Sequence, residues 1–393
     1  MELKELEEKY FFKTYKRLDL LIERGEGCWL ITKSGEKYLD LFGGLAVNAL
    51  GYNHPAITKA IEEQIRKYTH LSNYFLQEPQ IKLAQLLIQV SGFNKIFFSN
   101  SGTEAMEGAI KLARKWGAEK NKFNIISFDN SFHGRTLGSL SITGREKYRK
   151  GYEPFLPNCI QSKFNDPDEL IKKVDESTLA IVLEFIQGEG GIVEVDSNFL
   201  KTIANLRDKY NFLVIADEIQ SGIGRTGKFF AFEHYNFKPD ICVIAKPIGG
   251  GLPLGALLGN EKVANVFTYG VHGTTFGGNP VACAAGEALI NQIKEKNLVD
   301  NAKQMGDYFQ EGLKMLQNKF PNLIRIIRGK GLMIGIEMSF KCENIVAYML
   351  QNNVLVNCTN ENVIRLLPPL IINKEEIDFA LEKFEYVLKN LKD

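Results

Sequence analysis

Short apolar runs punctuate the middle of the chain: Ile96–Phe98, Asn124–Phe128, Leu179–Phe185, Phe212–Ala216, Ile241–Ala245 and Ala256–Leu258. Most are continuous rather than alternating, the pattern of strands buried on both faces. Helix-length segments separate several of them, among them Thr103–Trp116 and Asn198–Lys209. This alternation predicts an α/β fold with a mostly parallel sheet flanked by helices.

The two ends are patterned differently. Leu298, Ala302, Met305, Phe309, Leu313 and Leu316 fall at helical spacing, as do Ile377, Leu381, Phe384, Leu388 and Leu391. Two strand-like pieces, Met333–Met338 and Val363–Leu367, lie between them. The expected organisation is a large domain over residues 46–294 and a smaller α/β domain over residues 295–393, joined by the N-terminal segment 1–45. No Pro/Gly-rich linker marks the boundary, and there is no repeat or low-complexity tract.

The chain has 393 residues, 45% of them hydrophobic, enough to bury a sizeable core. Its 48 basic and 47 acidic residues leave a net charge of +1, without long runs of either sign. That gives no basis for a nucleic-acid groove or a polybasic membrane anchor. The opening MELKELEE carries four acids and no apolar core, which argues against a secretory signal. Val263–Gly286 is uncharged and long enough to cross a bilayer. Its polar groups, from Asn265 to Asn279, would be costly in lipid, so no span is expected. Six cysteines, never closer than sixteen residues and without a CxxC pair, read as reduced thiols of a cytoplasmic protein. No metal is expected.

The segment GIGRTG, residues 222–227, matches G-x-G-x-x-G after an apolar run, and Asp240 lies eighteen residues beyond Gly222. Five residues, Asp217 to Ser221, nevertheless separate that run from the first glycine, and no clear amphipathic helix follows. A dinucleotide fingerprint places its glycines at the strand-to-helix turn itself. An NAD-dependent dehydrogenase therefore stands only as the rival from another enzyme class.

Asp217 and Lys246 end the runs LVIAD and ICVIAK. Carboxyl ends of parallel strands face the ligand crevice. Alone, the two residues read first as a salt bridge at a sheet edge. The glycines of PIGGGLPLG, straight after the lysine, favour a site that backbone must approach closely. Ser101-Gly102-Thr103 would open a helix, where free N–H groups and the helix dipole favour an anion. Ser101 with Glu104 also fits a capping box, and both roles can coexist. SFHGRT, residues 131–136, adds an aromatic, a histidine and an arginine on a loop. Singly, each has an ordinary reading as core or solvated surface. Together they describe a site for a phosphorylated aromatic aldehyde, and a non-catalytic phosphate-binding module would share only the cradle.

The ordered set SGTEA, FHGRT, FIQGEGG, DEIQSGIGRTG, AKPIGGGLPLG, HGTTFGGNP and IRLLPPL resembles the class III aminotransferases, pyridoxal 5′-phosphate enzymes of fold type I. The resemblance runs from Tyr15 to about Leu370. It implies that Lys246 bonds the cofactor and shuttles a proton, while Asp217 pairs with the pyridine nitrogen. Gln220 would approach the ring's phenolic oxygen, Phe132 and Ile219 would flank its faces, and Ser101, Gly102 and Thr103 would take the phosphate. Thr275 resembles a phosphate ligand donated across a homodimer, with Thr274 close to the substrate. Tyr15 and Arg135 resemble groups at the substrate carboxylate, Arg135 through a bidentate pair.

In VIRLL, alternation puts Arg365 beside Val363 and Leu367, where a guanidinium is costly unless an anion meets it. The resemblance supplies Glu189 of QGEGG as that anion, swinging aside when glutamate enters. The alternative is an edge-strand arginine reaching solvent. Phe185 stands where the family has proline, which leaves the backbone beside Glu184 open. Leu45 stands where ornithine-specific members carry tyrosine, favouring a donor with a masked α-amino group. The implied reaction is ω-amino transfer to 2-oxoglutarate. N2-acetyl-L-ornithine is the expected donor; ornithine, succinylornithine, 4-aminobutyrate and a carrier-bound aminoadipate derivative are alternatives.

Overall fold

The computed structural model describes residues 3–391; Met1 and Glu2 of the acidic opening, and the last two residues of the expected small domain, lie outside them. Strands β1 (Ile22–Glu26), β2 (Trp29–Thr32) and β3 (Lys37–Asp40) open the fold. Then come β4 (Lys95–Ser99), β5 (Asn124–Phe128), β6 (Cys159–Ser162) and β7 (Thr178–Leu183), followed by the short pair β8 (Ile186–Gln187) and β9 (Val193–Glu194). Strands β10 (Leu213–Asp217), β11 (Ile241–Ile244) and β12 (Gly255–Gly259) complete a seven-stranded sheet in the order β4-β12-β11-β10-β7-β5-β6. Five strands from β11 to β6 run parallel, while β12 is antiparallel to both of its neighbours.

Every residue of β7, β10, β11 and β12 is buried, which is why these strands read as unbroken apolar runs. Side-chain alternation divides them between two layers. Leu213 and Ile215 pack under the helix Gly102–Gly117 with Met106 and Ile110. Val214 and Ala216 face the other way, toward Phe199 and Ile203 of the helix Ser197–Tyr210. Asp196 starts that second helix by accepting the N–H groups of Asn198 and Phe199. Strand β6 was not expected; its sequence CIQS is half polar and lies at the sheet edge.

β13 (Ile324–Lys330), β14 (Met333–Met338), β15 (Val354–Leu355), β16 (Asn357–Thr359) and β17 (Val363–Leu366) form the later sheets. β13-β14-β17-β16 is one of them, and β15 pairs parallel with β3 to extend the N-terminal sheet. This pairing supports the proposed grouping of residues 1–45 with 295–393.

One expectation needs correction, and two rival readings are excluded. Cys342 and Cys358 form a disulfide, because the helix Glu343–Gln351 turns back and brings their Cα atoms to 6.0 Å; the other four cysteines are free. GIGRTG is not a strand-to-helix turn but irregular chain ahead of the short turn Ala231–Tyr235. There the buried Arg225 donates to the carbonyls of Leu332 and Pro368, tying the central sheet to the terminal one. The second excluded reading concerns Arg365, which does not reach solvent from an edge: β17 is interior, between β14 and β16. Among the described residues, no helix is long and apolar enough to cross a membrane.

Phe185 is fully buried and meets Phe232, Tyr235 and Phe237 at ring separations of 6.1, 5.8 and 5.7 Å. Phe185→Ala should lower stability by about 3–5 kcal/mol, since a cavity replaces those contacts. The midpoint of urea unfolding measures this, and an unchanged midpoint contradicts the packing.

Candidate active site

A cleft of about 450 Å³ opens at the carboxyl ends of β10 and β11. It gathers Ser101, Gly102, Thr103, Phe132, Arg135, Glu189, Asp217, Ile219, Gln220 and Lys246. Lys246 follows β11 with φ of 50°, left-handed for a residue that carries a side chain. Such a conformation persists only where surrounding structure fixes it. Its amine is pushed down to about 8, first by burial and then by the nearby Arg365 guanidinium.

Asp217 makes no ion pair with Lys246, so the sheet-edge salt bridge is excluded. Its Oδ2 accepts from His133 Nδ1 at 2.8 Å and its Oδ1 from the Ile219 N–H at 3.1 Å. Burial opposes a charged His133, but the bond to Asp217 prevails and raises its pKa. The sequence flagged this histidine without giving it a partner; only the fold brings residues 133 and 217 together. Glu184, also missed, is driven up by burial while accepting the N–H groups of Phe132 and Gly188. Those two bonds tie the loop that carries Phe132 to the chain just after β8.

The anion cradle is built as expected, with one difference. Ser101 Oγ accepts the Glu104 N–H at 3.3 Å, while the Glu104 carboxylate turns to the N–H of Asn100, not Ser101. Only half of a capping box forms. Thr103 Oγ1 bonds the hydroxyls of Thr136, at 2.9 Å, and Ser139. A Cβ at Gly102 would lie 2.7 Å from Ile219 Cδ1, and one at Gly134 would lie 2.3 Å from Thr103 Oγ1. Both glycines let backbone come close to the cleft floor.

Behind the wall, Arg365 is 1% exposed and pairs with the lining residue Glu189 at 2.6 Å. Its Nη1 also donates to Gln220 Oε1 at 3.2 Å. Burial works against the charge on Glu189, but Arg365 outweighs it and holds the carboxyl below its ordinary range. Arg135 is exposed and lies 3.8 Å over the Tyr148 ring. Among the described residues no carboxylate pairs with it. Leu45 belongs to a left-handed turn, Gly43–Ala46, in which all four φ values lie between 54° and 67°. Asp40 holds that turn through the N–H groups of Phe42 and Gly43, and Val47 beyond it lines the cleft.

Besides Arg365, three expected site residues lie outside the cleft lining. Tyr15 is 73% exposed, with the Arg17 guanidinium over its ring. Thr275 is exposed, and Thr274 reaches the site indirectly, through a 3.4 Å bond with Asn100.

Sheet order and cleft together define a pyridoxal-phosphate-dependent transaminase. The model for "Aminotransferase class-III" matches residues 10–388. Acetylornithine aminotransferases of Aquifex aeolicus and Methanocaldococcus jannaschii are each 44% identical, over 96% and 99% of this chain and 100% and 98% of theirs. Among solved structures, an ornithine aminotransferase from Toxoplasma gondii gives a TM-score of 0.93 at 29% identity, covering 98% of this chain and 94% of that one. An acetylornithine aminotransferase from Elizabethkingia anophelis gives 0.88 at 32%, covering 99% and 98%. The chain belongs to the class III aminotransferases, enzymes that pass an amino group from an amino donor to a keto acid.

The cofactor of that class is pyridoxal 5′-phosphate, and the cleft fits it. A helix N-terminus bared by glycine offers N–H groups to a phosphate, and a depressed amine suits an aldehyde. His133 Nε2 is buried in the same cleft with no hydrogen-bond partner among the described residues.

Only a neutral amine can attack an aldehyde. When pyridoxal phosphate is added to apoprotein, visible absorbance should build at a rate that rises with pH through about 8 and then levels off. An ordinary lysine, titrating near ~10.4, would give a rate still climbing above pH 9. That second profile, or the same trace from Lys246→Ala, contradicts the assignment.

Proposed function

We propose that this protein transfers the δ-amino group of N2-acetyl-L-ornithine to 2-oxoglutarate, giving N-acetyl-L-glutamate 5-semialdehyde and L-glutamate in arginine biosynthesis. The observation that carries it is the closed Arg365–Glu189 pair, whose Glu189 lines a cleft that also holds a depressed lysine. Curated relatives at 41–45% identity, named acetylornithine aminotransferase, support the choice of donor. Free ornithine is the nearest alternative, and the aliphatic Leu45 argues against it.

Bound pyridoxal phosphate supplies an electron sink for the carbon that carries the amine. Ser101, Gly102 and Thr103 would hold the phosphate, and Phe132 and Ile219 would flank the ring. Asp217, its oxygens already fixed by His133 and the Ile219 N–H, would keep a proton on the ring nitrogen. Lys246 Nζ takes a proton from the amine-bearing carbon of the substrate, and a pKa near 8 leaves much of it neutral for that task. Arg135 receives the carboxylate remote from the transferred ω-amine. Glu189 screens Arg365 while the ω-donor reacts, and the α-carboxylate of glutamate then displaces it.

We assign a homodimer with shared sites. Exposed Thr275 would reach the partner's phosphate, and the exposed Tyr74, Leu76, Tyr269 and Phe276 support an interface.

A panel of amine donors against 2-oxoglutarate tests the substrate. Acetylornithine should exceed ornithine in kcat/KM by on the order of 10-fold or more; equality or reversal overturns the reading. Glu189→Ala should shift the ratio of the two half-reactions toward glutamate by roughly 5- to 150-fold. Equal slowing of both would leave Glu189 with a structural role only.

Verified heterodimers of Thr275→Ala and Lys246→Ala subunits should regain about half of the wild-type activity, since one site carries both lesions and the other neither. No recovery would mean that Thr275 serves its own subunit.

A further inference from the structure

The Arg365–Glu189 pair is held by more than its own ion pair. Strand β16 lies beside β17, with Asn357 opposite Arg365 and Thr359 opposite Val363. Residues two apart on a strand share a face, so Asn357 and Thr359 project together and Cys358 projects away. Asn357 Oδ1 accepts the Arg365 Nε–H at 3.2 Å. Thr359 Oγ1 donates to the backbone carbonyl of Glu189 at 2.7 Å. Two neighbours on one strand thus grip both members of the pair. Arg145 donates to the same Glu189 carbonyl from the opposite side of the sequence.

β16 is itself the edge of its sheet, hydrogen-bonded within it to β17 alone. The outward Cys358 supplies a second tether, through its bond to Cys342 at the start of the helix Glu343–Gln351. Neither Asn357 nor Thr359 lines the cleft.

We infer that Asn357 and Thr359 are the positioning residues of the donor switch, setting how readily the Glu189–Arg365 pair opens. The inference rests on the switch proposed above. An ion pair that opens once per cycle partitions the enzyme between two donors, so whatever steadies the closed form favours the ω-donor. Thr359 fixes the backbone from which Glu189 reaches out, and loosening it eases displacement by an incoming carboxylate. Asn357 fixes the guanidinium through a neutral oxygen. A carboxylate at that position would grip Arg365 harder and compete with glutamate.

The experiment follows single-turnover spectra of the holoenzyme with acetylornithine and with glutamate. In Thr359→Val the glutamate half-reaction should gain on the other by about 2- to 12-fold, the effect of one neutral hydrogen bond. Thr359→Ser, which keeps the hydroxyl, should return the ratio to that of wild type. Asn357→Asp should move the ratio the opposite way, and it tests the inference even if Thr359→Val folds poorly. A merely structural strand would slow both half-reactions by one factor, or leave the serine variant as displaced as the valine one; either result overturns the inference. Glu189→Ala serves as reference. If it shifts the ratio while Thr359→Val and Asn357→Asp do not, the positioning role alone is wrong. Should Glu189→Ala leave the ratio unmoved, the switch and this inference fall together.

Discussion

Asp217 and Lys246 are kept close without being allowed to pair, and the chemistry of the cleft depends on that. A carboxylate free to meet the amine would hold it protonated and spend its own charge. Instead, both Asp217 oxygens are committed, one to His133 and one to the Ile219 N–H. Lys246 is left in a buried setting with a guanidinium as its strongest charged influence, and its amine is depressed to about 8. The acid stays fixed in place, and the amine stays free as a nucleophile.

That separation is maintained by backbone as much as by side chains. Lys246 is left-handed, and so is the whole turn Gly43–Ala46 behind Val47. Left-handed residues with side chains each cost roughly 1–2 kcal/mol, which tertiary contacts must offset. Asp40 does so for the turn, through two backbone N–H groups and the Tyr52 hydroxyl. Both strained segments border the cleft, where shape matters more than local stability.

The charge behind the cleft wall comes from a different part of the chain. Arg365 rises from β17 in the terminal sheet, whereas Glu189 follows β8 beside the central one. Arg225, rooted near β10, holds carbonyls of Leu332 and Pro368 on either side of β17 in sequence. The proposed donor switch is therefore a contact between two sheets, and small adjustments of one against the other would bear directly on it.

The sequence by itself determined the buried strands, because four strands closed off on both faces leave no room for polar residues. It also determined the ends of β10 and β11 as chemical positions, since Asp217 and Lys246 interrupt apolar runs where parallel strands open to a crevice. Motif order then carried most of the cleft. What the sequence left undecided depended on partners distant along the chain. His133 needed Asp217 across 84 residues, and Arg365 needed Glu189 across 176. Cys342 and Cys358 looked like separate thiols until a helix folded one over the other. Arg365 could have been solvated until β16 covered the open side of its strand. Local patterns report which face of an element is buried; they do not report which other element does the burying, and that was decided only by the tertiary packing.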